Sequence, residues 1–100
     1  MADEADWSDV AEAQLEAYLD YLALADPVLA LKATREIREI ADQTARRPGL
    51  ARKSRWDGLF ERSVRRWHRI LVFRVDDASV RVLAVYDMRQ DFSSLDPRPR

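Results

Sequence analysis

Cysteine is absent from this chain of 100 residues, so neither a disulfide framework nor a thiolate metal site is available, and a reducing cytoplasm suits it better than secretion. Glycine is nearly absent. Gly49 and Gly58 are the only two, too few for a phosphate-cradling loop or a GxSxG elbow. Histidine occurs once, at His68, which excludes an HExxH helix and leaves a Ser-His-Asp set to be built around that residue alone. Long apolar runs are also missing. The longest are about five residues, against the roughly 20 that a spanning helix needs, and the opening MADEAD is acidic where a targeting segment is basic. No basic residue occurs before Lys32, whereas Asp3, Glu4, Asp6, Asp9, Glu12, Glu16, Asp20 and Asp26 are all acids.

What is present is 47% apolar residues, enough for one core in a chain of this length. Its organising stretch is Trp67 to Asp91, where two β-branched runs flank a polar turn at Asp76, Asp77, Ala78 and Ser79. Upstream, Ser8 is placed to cap a helix over 8–24, with Ala11, Leu15, Tyr18, Leu19 and Leu22 at helical spacing. Asp26 and Pro27 are a cap and a first-turn proline for a second helix over 27–46, with an apolar stripe from Ala30 to Thr44. Arg35 with Glu39, and Arg38 with Asp42, stand at ion-pair spacing along it. Pro48 and Gly49 end the helical half. Strands are expected at 52–56 and 59–64 around an Asp57-Gly58 hairpin turn, then a turn at Arg65-Arg66, then the central hairpin. The predicted fold is α+β: an N-terminal antiparallel helical hairpin packed on a curved antiparallel β-sheet, one domain over 1–92. An edge strand is expected within residues 2–7, anchored to the sheet by Trp7. Residues 93–100 have two prolines beyond Leu95 and no visible partner, so a mobile tail is expected.

The charge is divided along the chain. Ten basic residues lie between Arg46 and Arg74 against Asp57 and Glu61, which either neutralises the acidic helix across the fold or presents a basic face to a polyanion or acidic protein. The sheet is expected to gather Arg52, Lys53, Arg55, Arg69, Arg74, Arg89 and Tyr86. Guanidinium groups of this kind bind phosphate and stabilise charge developing on its oxygens, and a polarised Tyr or Lys can accept a proton from a ribose 2′-hydroxyl; simple anion binding needs the same residues without the cleavage. His68 reads either as a strand residue with a satisfied ring or as a proton-transfer group. Trp56, Phe60, Trp67, Phe73 and Tyr86 read either as core or as a platform for stacked bases.

The order of these features resembles one family. A WS start, A..A.L....DYL, DP..A, a helix ending in PGL.R, then LFE..V..W.RILVFRV, a DD turn and V.VL.VYD.RQD are similar to the RelE/ParE superfamily of toxins from type II toxin-antitoxin systems, over Trp7 to Asp91. Arg69 to Val75 resembles the family's YRIxYRV strand, and Val80 to Asp91 its terminal VxVLxVxHxRxD element. The resemblance implies a growth-inhibiting toxin without a cofactor or metal, neutralised in the cytoplasm by an antitoxin whose otherwise disordered segment wraps it, a ParD-like ribbon-helix-helix protein on the ParE side. RelE-like members cleave mRNA on the ribosome; ParE-like members poison DNA gyrase by binding. The long helical hairpin, the DP and LFERSV resemble the ParE branch more. Carried over by position, Arg69 and Arg89 match family arginines, while Tyr86 or Asp87 occupies the neighbourhood of the usual His. A nuclease would use Tyr86, Arg69, Arg89 and Lys53; binding of target or antitoxin would use Arg52, Arg55, Arg69, Arg74, Arg89 and Trp67.

Overall fold

Ser8 and Asp26 decide where the helices begin. In the computed structural model, which describes residues 3–77 and 79–98, the Ser8 hydroxyl accepts from the Ala11 backbone N–H at 3.0 Å and opens α1, Asp9–Ala25. Asp26 accepts from the Val28 N–H at 3.0 Å, Pro27 sits in the first turn, and α2 runs Pro27–Arg46. The stripes read from sequence face inward: Ala11 and Leu15 of α1 pack with Ala33, Ile37 and Ala41 of α2 against the sheet. The ion pairs expected along α2 are replaced by longer-range ones. Arg38 reaches across the hairpin to both oxygens of Glu12 at 3.0 and 2.8 Å, Glu39 takes Arg46 at 2.9 Å, and Asp42 accepts from the Ala5 N–H at 3.0 Å. Arg38 and Asp42 find partners off the helix that bring a bidentate fork and a backbone donor, while Arg46 takes Glu39 from within α2.

The sheet has five strands: β1 Asp6–Trp7, β2 Arg52–Lys53, β3 Phe60–Val64, β4 Arg69–Val75 and β5 Val80–Asp87, in the order β1-β5-β4-β3-β2. All neighbours are antiparallel except β1, which lies parallel to β5 with Asp6 opposite Arg81 and Trp7 opposite Val82. The edge strand expected near the N-terminus is thus two residues long and parallel; Ala2, within that expectation, lies outside the described residues. Asp76 donates to Ser79 at 2.9 Å to close the central hairpin; Ala78 of that turn also lies outside them.

Both faces of the sheet are covered. Toward the helices lie Leu71, Phe73, Val82 and Val85 with Trp67; on the outer face lie Ile70, Val72, Leu83 and Tyr86 with Trp56 and Leu59. The outer cover comes from the segments that sequence places least well. The strand expected over 52–56 stops at Lys53, because Ser54 turns the chain by accepting from the Trp56 N–H (3.2 Å) while its own N–H bonds the Leu59 carbonyl (2.9 Å). Asp57-Gly58 does form a turn, with Leu59 N–H to the Trp56 carbonyl at 3.1 Å and Gly58 at φ 79°, but inside a wider loop rather than as a two-residue hairpin. The tail also finds a partner: Trp56 Nε1 donates to the Leu95 carbonyl at 2.8 Å, Leu95 packs on the outer cluster, and Pro97 is buried. The indole N–H of a buried Trp needs an acceptor, and the Leu95 carbonyl supplies it to Trp56. Pro99 and Arg100 lie outside the described residues.

Candidate functional site

A β-bulge decides which side chains meet at the end of the central hairpin. Phe73 pairs with Val82 but Val72 pairs with Ala84, so Leu83 is an extra residue in β5. Counting by twos from Val80 and Val82 puts Tyr86 on the helix side. The bulge reverses the phase, sending Tyr86 outward and Asp87 inward. The backbone freed there is satisfied from α1: Ser8 Oγ donates to the Leu83 carbonyl at 3.2 Å, and Gln14 Oε1 accepts from the Val85 N–H at 2.7 Å.

Asp87 then stands directly across from Arg69 in the β4–β5 register, with Arg69 Nη2 3.0 Å from its Oδ2. Arg89 approaches from the following turn, its Nε 3.0 Å from Oδ1, its Nη2 3.1 Å from Oδ2, and its backbone N–H 2.9 Å from Oδ1. The side-chain and backbone bonds from Arg89, with the Arg69 charge behind them, hold the Asp87 carboxyl far below the usual carboxylate range. Arg69 is held as firmly: Nε donates to the Trp67 carbonyl at 3.1 Å, its guanidinium lies 4.0 Å over the Tyr18 ring, and its side chain is only 12% exposed. The Tyr18 hydroxyl donates to the same Trp67 carbonyl at 3.1 Å, and burial pushes that phenol up.

These residues line an open groove of about 790 Å³ between α1 and the ends of β4 and β5. Tyr21, Arg66, Trp67 and His68 also line it, and Tyr86 reaches its edge from the outer cluster. Trp67 is a core residue whose Nε1 donates to Glu36 at 2.7 Å, and Glu36 also holds Arg66 at 2.8 Å. His68 is neither strand nor buried. It ends a 3-10 turn, Arg65–Trp67, in the left-handed region at φ 52°, exposed, where sequence reading expects a strand residue after an Arg65-Arg66 turn.

The arginine cluster expected from sequence divides among separate places. Arg69 and Arg89 share the groove. Arg52 and Arg55 lie at the opposite sheet edge, where each places Nη2 against Glu61 Oε1, at 3.2 and 3.3 Å; that side chain is only 4% exposed. Arg55 also covers the Phe92 ring at 4.0 Å. They neutralise a buried carboxylate, a demand that sequence spacing alone does not reveal. Arg74 pairs with Asp76 at 3.6 Å by the central turn, and Lys53 is exposed on the edge strand. Tyr86 is 8% exposed, its ring tilted against Trp56 at 5.6 Å and Phe92 at 5.9 Å, and burial raises its hydroxyl. Tyr18, Tyr21 and Arg66 were not singled out as site residues; the available signal for Tyr18 was a phenol in an otherwise aliphatic stripe, since a half-buried Tyr hydroxyl seeks a partner. Among the described residues no three His, Asp or Glu are grouped to hold a metal, and no helix is long and apolar enough to cross a membrane.

Residues 5–92 match the family model of the ParE toxin of the type II toxin-antitoxin system, parDE. A solved structure of the chromosomal ParDE toxin-antitoxin system from P. aeruginosa is similar, with a TM-score of 0.71 and 27% identity over 86% of this chain and 98% of that one. No curated protein matches. Five strands under a helical hairpin, an Arg69–Asp87–Arg89 groove at the end of the central strands, and a family match from Ala5 to Phe92 together place this chain in the ParE toxin family.

Proposed function

We propose that this ParE-family protein arrests growth by binding and poisoning DNA gyrase, and that a cognate ParD-like antitoxin neutralises it. The carrying observation is the Arg69–Asp87–Arg89 cluster. Asp87 stands two residues before Arg89, where the superfamily's HxR element has its histidine, and its carboxylate already accepts from two guanidinium groups. A group so far below the usual range stays ionised near neutral pH, so it neither donates a proton nor competes well for one. Tyr86, the other candidate for acid-base work, lines the groove's edge but packs into the outer aromatic cluster, and burial raises its hydroxyl. A charged groove with fixed geometry and weak proton chemistry suits recognition better than strand cleavage. Tyr21, Leu24 and Val28 at the tip of the helical hairpin are exposed, Leu24 to 90%, an apolar surface of the sort that partner proteins cover. The P. aeruginosa relative belongs to a ParDE system, which supports an antitoxin as one such partner.

Purified protein should inhibit supercoiling or trap cleaved DNA in a reaction containing only gyrase, ATP and plasmid, and adding the antitoxin should reverse it. No effect at stoichiometric excess would overturn the gyrase reading. The endonuclease alternative is tested by Tyr86→Phe and His68→Gln: both variants should stay toxic, and loss of toxicity with the fold intact, accompanied by loss of ribosome-dependent mRNA cleavage, would favour cleavage instead.

A further inference from the structure

The C-terminal end of α2 carries a second basic site, distinct from the groove. Arg46, Arg47 and Arg62, with Gln43 and Leu50, line a surface cavity of about 410 Å³. Arg62 projects from β3 toward the helix, and its Nη1 donates to the Ile40 carbonyl (3.3 Å), Thr44 Oγ1 (3.2 Å) and Gln43 Oε1 (3.4 Å). That anchoring fixes the guanidinium plane and leaves Nε and Nη2 without an acceptor among the described residues. Arg47 makes no side-chain hydrogen bond or ion pair among them, and Arg46 is engaged by Glu39 at 2.9 Å and the Asp3 carbonyl at 3.3 Å. Three guanidinium groups thus converge with one carboxylate between them.

We propose that this cavity binds a backbone phosphate of double-stranded DNA. Arg62 is pre-positioned by its bonds to α2, so little side-chain freedom is lost when its outer N–H groups meet phosphate oxygens, and the guanidinium fork matches that geometry. Lys53, exposed on the edge strand beside β3, adds a further positive charge for a neighbouring phosphate, whereas Arg52 is committed to Glu61. No aromatic side chain lines the cavity, so the stacking platform that single-strand binders use is missing, and a duplex backbone is the better fit. The contact carries no sequence information.

The test is fluorescence anisotropy of a labelled duplex against salt concentration, with inorganic phosphate titrated separately and followed by arginine side-chain NMR. Arg47→Gln should weaken duplex binding and lower the log-log salt slope by about 0.9, the value for one phosphate contact on B-DNA. Arg35→Gln, which removes the same charge from the exposed middle of α2, should leave the slope unchanged. Arg62→Lys keeps the charge but loses the fork; it should bind more weakly than wild type while its thermal midpoint, measured alongside, reports any cost to folding. The proposal is overturned if Arg47→Gln keeps the wild-type slope, if Arg35→Gln loses as much, or if the site takes inorganic phosphate but no duplex. The assay contains no gyrase, so its failure and the failure of the gyrase reading are separable.

Discussion

At the scale of single residues, the groove depends on positions where side-chain identity and backbone geometry are in tension. His68 holds φ 52°, a region that costs a non-glycine residue roughly 1 kcal/mol and glycine almost nothing. His68→Gly should therefore raise stability by up to about 1 kcal/mol in urea unfolding, and on a binding mechanism it should leave growth arrest intact; a loss of toxicity in a well-folded variant would assign the imidazole a chemical role. Asp87 makes a prediction of opposite character. Its folded-state carboxyl lies below the unfolded value, so its stabilising contribution is complete above about pH 4 and is lost as pH falls through the lowered folded value. Between pH 5 and 8 Asp87 should therefore contribute no pH dependence to partner binding. Carboxyl NMR titration of wild type beside Asp87→Asn checks this, and an Asp87 transition above pH 4 would contradict it.

At the scale of elements, Glu61 shows how one buried charge organises a sheet edge. It draws in Arg52 and Arg55 and a 3.4 Å hydrogen bond from the Ser54 hydroxyl, which fixes the two-residue β2 against β3. Glu61→Gln keeps the shape and removes the charge; it should cost about 1–3 kcal/mol, the range for losing hydrogen bonds to a charged group, and equilibrium unfolding with unchanged m-value would measure it. Helix boundaries were legible in the sequence to within a residue because Ser8, Asp26 and Pro27 act locally. The central hairpin was legible for the same reason, its two apolar runs and polar turn being contiguous. The facing of Tyr86 and Asp87 was not, since Val80, Val82 and Tyr86 keep an even spacing and nothing in their identities marks Leu83 as an extra residue. The division of the arginines was hidden for another reason: which guanidinium serves a buried carboxylate and which remains available is settled by neighbours far along the chain.

At the scale of the whole molecule, the acidic N-terminal part is not cancelled by the basic middle. Among the described residues Glu12 is the one carboxylate from the first 26 that forms an ion pair, with Arg38, so the acids of α1 and the basic end of α2 stay largely apart. The outer face depends on the chain's end. Removing residues 93–100 takes away the Leu95 carbonyl that accepts from Trp56 and the burial of Leu95 and Pro97. Truncation after Phe92 should cost about 2 kcal/mol, from one lost hydrogen bond to a buried indole and one partly buried aliphatic side chain. A truncated chain as stable as the full one would restore the expectation of a mobile tail.

The parallel pairing of β1 with β5 also bears on when during synthesis the groove is assembled. Asp6 and Trp7 enter the sheet only through Arg81 and Val82, and the groove joins Tyr18 of the first helix to Asp87 of the last strand. Contacts so distant along the chain form late, so a nascent polypeptide lacks its groove until β5 has left the ribosome. Chains stalled at Val75 should be cut readily by protease within the helical hairpin, and released chains should resist; resistance in the stalled chain would contradict this. Synthesis itself thus imposes a delay before the groove exists, so on the proposed reading an antitoxin made beforehand would be at hand when the groove first forms.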